Sequence, residues 1–213
     1  MRNYLVTLAF LFTGIAHATI IPVGVQNDYS KAKTLSDEWS IVYQGGYGTP
    51  FDFNSIISGL NSNVSVALAG ATSDGAINFD VFSATTAGIL NTITAANATI
   101  FDNGAFWYHN NLSLGFSNIS KIRQSQADTF DRTSRGVLSW HTISGDNNTA
   151  RVGGWRSGSN TSLNTNNRFQ RYVLIGTVTI VPEPTTLALL CLGLAAFGFF
   201  RKKKTAPLKI TGR

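Results

Sequence analysis

Val64-Ser65-Val66-Ala67-Leu68-Ala69 is followed by the turn residues Ser73-Asp74-Gly75 and then by Ile77-Asn78-Phe79-Asp80-Val81-Phe82. Both runs alternate in side-chain character, the period of a β-strand with one face turned to a core. Asp-Gly between two such runs predicts a hairpin, because these residues tolerate the backbone angles of a tight turn.

The same reading extends along the chain. Trp39–Tyr43, Ala105–Tyr108, Leu112–Phe116, Gly136–His141 and Tyr172–Ile180 are strand-like runs rich in β-branched and aromatic residues. Between them lie turn clusters such as Gly45-Gly46-Tyr47-Gly48-Thr49-Pro50, Asp102-Asn103-Gly104 and Ser144-Gly145-Asp146-Asn147-Asn148. Gly153-Gly154 is a candidate bulge. Only Asp52–Leu60 and Ala84–Leu90 hint at short helices. The predicted class is all-β: an antiparallel β-sandwich ectodomain, flanked by an N-terminal signal helix and a single C-terminal transmembrane helix. Most of the aromatics then serve to pack one sheet on the other.

Composition narrows the function classes. Among 213 residues there are 17 Lys and Arg, 11 Asp and Glu, 20 Gly, 5 Pro and 1 Cys. So little charge excludes a coiled coil or a charge-driven disordered chain. One Cys excludes an intramolecular disulfide framework and the common zinc spacings. The net charge of +6 belongs to the tails: Arg2, and Arg201, Lys202, Lys203, Lys204, Lys209 and Arg213 near the C-terminus. Residues 19–181 are neutral, so no nucleic-acid partner is expected.

Both ends have the form of addresses. Arg2, the largely apolar run Leu5–Ile15 and the small residues Ala16 and Ala18 make a secretory signal over residues 1–18. Cleavage after Ala18 leaves Thr19 as the first residue of an exported domain, 19–181. At the other end stand Val181-Pro182-Glu183-Pro184, the apolar segment Leu187–Phe200 and the cluster Arg201-Lys202-Lys203-Lys204. As a helix, Thr185–Phe200 covers about 24 Å against a hydrocarbon core of about 30 Å, so it would span with modest local adjustment. The basic cluster stays cytoplasmic, which places residues 19–181 outside. Cys191 lies within the apolar segment and has no expected redox role.

This tripartite order resembles the PEP-CTERM sorting signal of Gram-negative bacteria, over residues 182–204, with a short cytoplasmic tail, 205–213. The resemblance implies Pro182, Glu183 and Pro184 as the recognition motif, Leu187–Phe200 as the membrane helix and Arg201–Lys204 as the stop-transfer cluster. It implies processing by exosortase near the Pro-Glu-Pro, transient membrane anchoring, and final residence at the cell surface or in an extracellular matrix associated with exopolysaccharide and biofilm. The tail 205–213 is longer than is usual after such a cluster.

Little chemistry is legible in the domain itself. Ser139, His141 and Asp146 contain the residue types of a hydrolase triad, yet no nucleophile elbow accompanies them. Glu38 is the only Glu among the acids of residues 19–181, and no carboxylate pair suited to glycoside hydrolysis stands out. Asp128-Thr129-Phe130-Asp131 and Asp146-Asn147-Asn148 offer oxygen ligands, but Asp and Asn in turns more often satisfy local N–H groups. No metal and no cofactor are expected. Arg156, Arg168 and Arg171 are expected to pair with acids of the first half. The leading expectation is a non-enzymatic structural or adhesive surface protein. One alternative is a carbohydrate-binding module, with Trp107, Tyr108, Trp140 and Trp155 as a surface row stacking on sugars. A second is a secreted hydrolase.

Overall fold

The computed structural model describes residues 19–176 except Phe51, Ile93, 95–97, Asn111, 124–125 and 142–152. Among the described residues, eleven strands form two antiparallel sheets. In the first, the order is β1 (Gln26–Ser30), β4 (Asn78–Thr86), β3 (Ser65–Ala71), β11 (Gln170–Gly176) and β2 (Trp39–Gly46). In the second it is β10 (Asn160–Thr161), β9 (Gly154–Ser157), β8 (Val137–His141), β7 (Ser113–Ser117), β6 (Ala105–His109) and β5 (Ile100–Asp102). The described residues also form three short helices: α1 (Lys31–Ser36), α2 (Phe53–Ile57) and α3 (Ala87–Asn91).

The inner faces of the sheets share one core. Val66, Leu68, Val81 and Val173 come from the first sheet, and Trp107, Leu114, Phe116, Leu138 and Trp140 from the second. This is the two-sheet arrangement that the alternating runs predict. The expected hairpin also forms, since β3 pairs antiparallel with β4 from Ser65↔Thr86 to Gly70↔Val81. Its loop is six residues long, however. The tight turn lies elsewhere, between β5 and β6. Asn103 and Gly104 take φ of 44° and 75° there, the left-handed pair of a two-residue hairpin.

The expectation of half-buried strands needs correction. Every residue of β3, β7 and β8 is buried. Both sheets are covered on their outer faces as well. On the first, Trp39, Phe79, Phe82, Tyr172 and Leu174 pack over Ala67, Ala69 and Ala71, whose small side chains leave room for the rings. Helix α1 lies against β1, β2 and β4. It connects the two edge strands of the sheet, β1 and β2, and is capped by the Ser30 hydroxyl, which accepts from the Lys33 N–H at 3.3 Å. On the second sheet, Tyr108 and Val137 meet Ile122 and Ala127 from the segment that links β7 to β8.

Two bulges interrupt the ladders among the described residues. Val173 pairs with Tyr43 and Leu174 with Ile41, so Val42 is an extra residue in edge strand β2. Ser139 pairs with Arg156 and Trp140 with Gly154, so Trp155 is extra in β9. The second lies where Gly153-Gly154 suggested one. In edge strand β2 such irregularity twists the exposed edge away from further pairing.

Candidate functional site

The chain leaves the described domain through β11, a central strand with β3 on one side and β2 on the other. Its last residue, Gly176, pairs with Trp39 at the start of β2. Gly176 is also where the N-terminal segment arrives: a Cβ placed on it would lie 2.8 Å from Thr19 Cγ2 and 3.2 Å from Ser65 Cβ. The expected first residue of the exported domain and the last described residue before the sorting segment therefore touch.

Residues 20–24 are pinned by their backbone. The Trp39 indole N–H donates to the Ile20 carbonyl at 3.1 Å. The Asn103 amide donates to the carbonyls of Pro22, at 2.8 Å, and Ala84, at 2.9 Å. The Gly24 N–H donates to the Asn103 carbonyl at 2.6 Å, and the Ser83 hydroxyl to the Gly24 carbonyl at 3.2 Å. The segment thus ties the first sheet to the β5–β6 turn of the second. Beside it runs a shallow groove lined by Ile21, Thr85, Thr86, Asp102 and Asn103, in which the Thr85 hydroxyl donates to Asp102 Oδ2 at 2.5 Å. Sequence reasoning missed this junction, because its polar residues carry no periodic signal.

Several expected site residues lie outside the described residues: Ala16 and Ala18, the motif Pro182-Glu183-Pro184, the apolar segment Leu187–Phe200, and the cluster Arg201-Lys202-Lys203-Lys204. Among the described residues no helix is long and apolar enough to cross a membrane.

The expected surface row of aromatics is not formed. Trp107 and Trp140 belong to the core between the sheets, with 2% and 0% of their surface exposed. Tyr108 is buried on the outer face of the second sheet. The reason is parity: Trp107 and Trp140 point the same way as Leu114, Phe116 and Leu138. Trp155, the bulged residue, is half-buried, with its ring edge-on to His141 at 4.5 Å between centroids.

Ser139 and His141 alternate with Leu138 and Trp140 and so share the outer face, but both are buried. Tyr108 is with them. Burial pushes its hydroxyl up to about 12, against the opposing pull of the Ser113 and Ser139 hydroxyls. Asp146 lies outside the described residues. Asp128 accepts from the Ser162 N–H at 2.8 Å, and Asp131 from the Thr133 hydroxyl at 2.6 Å. The second is a local turn contact, whereas the first ties the β7–β8 segment to the residue after β10. Among the described residues no three His, Cys, Asp or Glu are grouped to hold a metal ion.

Two of the arginines expected to meet first-half acids are buried and hold main-chain carbonyls instead. Arg156 Nε donates to the Gly158 carbonyl at 2.7 Å, and its terminal nitrogens donate to the carbonyls of Phe130, Asp131 and Ser134. Arg171 donates to the carbonyls of Gly153, just before β9, and of Gly46 and Thr49 at the end of β2, binding these two connections together. Desolvation lowers the pKa of both guanidiniums. The pairing between halves occurs at the surface, where Arg135 Nη2 meets Asp28 Oδ1 at 2.6 Å.

Residues 181–203 match the PEP-CTERM protein-sorting motif. No match to the chain was found among curated proteins or among solved structures.

Proposed function

We propose that this chain, which carries a PEP-CTERM protein-sorting motif over residues 181–203, is exported by its signal segment and handed at Pro182-Glu183-Pro184 to an exosortase. Its domain then serves at the cell surface or in an extracellular matrix rich in exopolysaccharide, as a non-enzymatic structural or adhesive component. The sorting motif is the observation that carries this reading. It gains support from the chain path. Pro182 follows Gly176 by six residues, so the folded domain ends close to the motif, and the membrane segment begins soon after it.

The non-enzymatic part of the reading rests on the interior. Ser139 is wholly buried, His141 packs against Trp155, and the two buried arginines are occupied with carbonyls. A packed domain whose buried polar residues serve its own interior suits a passive extracellular module.

Mapping the protein's termini by mass spectrometry, in its host with and without exosortase, tests the reading. An N-terminus at Thr19 and exosortase-dependent loss of residues beyond the Pro182–Pro184 region are expected. An intact Arg213 in both strains would replace it with a plain inner-membrane anchor facing the periplasm.

A further inference from the structure

Eight large apolar side chains are exposed among the described residues, and three of them fall within four consecutive positions: Ile20 at 59%, Ile21 at 41% and Val23 at 73%. This stretch is not a loose terminus. Its carbonyls at Ile20, Pro22 and Gly24 are held by Trp39, Asn103 and Ser83. A fixed backbone with apolar side chains turned outward presents a surface rather than a fraying end.

We propose that this end of the domain, Ile20–Val23 with its neighbour Gly176, lies on the lipid surface of the membrane for as long as the C-terminal segment remains attached, with Ile20 and Ile21 dipped into the bilayer interface. The proposal rests on Leu187–Phe200 being the membrane helix. The chain path selects the occupant. Thr19 touches Gly176, and Leu187 follows Gly176 by eleven residues, at most about 40 Å of extended chain. Both routes out of the domain, toward the signal segment and toward the sorting segment, leave from the end that carries the apolar stretch.

A few aliphatic side chains bind a bilayer weakly when free in solution. A short tether changes this, because it holds the surface at an effective concentration on the order of mM. Removal of the tether by cleavage near Pro182–Pro184 lowers that concentration to the bulk value. Processing therefore also releases the domain from the lipid. The attraction is apolar in origin: the charged residue lining the adjoining groove is Asp102, already bonded to Thr85. Neutral phosphatidylcholine should serve as well as anionic lipid.

The test uses the protein with Thr19 confirmed as its N-terminus and the C-terminal segment retained, in phosphatidylcholine vesicles containing a doxyl-labelled lipid quencher. A fluorophore is placed at one cysteine at a time: native Cys191, or Ile21→Cys or Ile77→Cys in a Cys191→Ala background. Ile77 is 81% exposed and precedes β4, whose far end is Thr86, a strand length of about 30 Å away. Circular dichroism confirms that each variant is folded. Severalfold quenching is expected at positions 191 and 21 and none at 77, unchanged when anionic lipid is added. Quenching at 191 with a water-exposed probe at 21 overturns this proposal and leaves the anchor standing. A water-exposed probe at 191 overturns the anchor and this proposal with it. A probe at 21 shielded from aqueous iodide yet untouched by the lipid quencher means that a protein surface, such as a second copy, covers the patch, and this too overturns the proposal.

Discussion

The Trp140 indole N–H donates to the Tyr47 hydroxyl at 2.9 Å, and that hydroxyl donates in turn to the Arg156 carbonyl at 2.8 Å. Tyr47 follows β2 of the first sheet, whereas Trp140 and Arg156 lie in β8 and β9 of the second. One wholly buried hydroxyl therefore joins the two sheets at the core, and burial raises its pKa well above the usual tyrosine value. Tyr47→Phe keeps the ring and strands two buried partners. A loss of about 2–4 kcal/mol is expected from chemical denaturation. An unchanged denaturation midpoint would show that the bridge is not a stability element.

The same loop forces a glycine nearby. A Cβ on Gly153 would lie 1.3 Å from the Tyr47 carbonyl oxygen, and its φ of 86° disfavours any side chain. Gly153→Ala is expected to cost more than about 4 kcal/mol or to abolish folding. Gly75→Ala is the control: nothing lies within 4 Å of its Cβ position, and its midpoint should shift by no more than about 0.5 kcal/mol. Parallel thermal melts of the two variants settle the comparison.

Burial separates the arginines. Arg156→Lys removes a planar fork that holds several carbonyls, and a single ammonium on a different stem does not reproduce that geometry. A loss of about 2–4 kcal/mol is expected. Arg135→Ala breaks the Arg135–Asp28 pair, but both side chains are more than half exposed and the pair is screened by solvent, so little change in stability is expected. Urea midpoints that ranked the two the other way would contradict the assignment of Arg156 as a carbonyl clamp.

These contacts mark the boundary of what could be read in advance. Strands β4, β6, β8 and β11 are legible from their β-branched and aromatic residues, and β3 from its alternation beside them. Strand β1 is not. Gln26-Asn27-Asp28-Tyr29-Ser30 is polar, and only pairing with β4 makes it a strand. Lys31–Ser36 is too short to show a helical period, and its place is set by the outer-face aromatics it helps to cover. Trp107 and Trp140 were misplaced at the surface because composition does not say which parity of a strand faces inward. Apart from the Gly158 carbonyl, those that satisfy Arg156 and Arg171 come from positions 18 or more residues away in sequence. The sorting motif, by contrast, needs no fold to be recognised, since its three parts are ordered along the chain.

His109 supplies a pH dependence. It is buried, its Nδ1 is bonded to the Leu90 carbonyl, and its ring meets Phe53 edge-on. Desolvation lowers its pKa in the folded state, outweighing the opposite pull of that carbonyl. The unfolded chain then binds a proton below about pH 6.5 while the folded chain does not. Stability contributed by the neutral ring is complete above about pH 6.5 and declines as pH falls toward the lower folded value. His109→Gln should flatten this part of the profile between pH 7.5 and 5.5. A wild-type curve parallel to that of the variant over this range would remove His109 as its source.

Asn103 is the remaining test, because two requirements meet in one side chain. Its φ is 44°, a region that asparagine tolerates better than most residues, and its amide holds both the Pro22 and Ala84 carbonyls. Asn103→Ala loses the bonds and also strains the backbone, for an expected cost of about 2–3 kcal/mol. Asn103→Gly relieves the φ but still loses the bonds, for about 1–2 kcal/mol. Both variants remove the side-chain hold on Pro22 and leave residues 20–24 tied to the β5–β6 turn by the Gly24 N–H bond to the main-chain carbonyl of position 103, so limited proteolysis should cut within Ile20–Gly24 faster than in the wild type, while the core remains intact. The two measurements separate the causes. Equal stability losses would assign the effect to the lost amide bonds alone, and unchanged cleavage would mean that the Trp39–Ile20 and Ser83–Gly24 bonds, with the Gly24 N–H bond to the carbonyl of position 103, suffice to hold the segment.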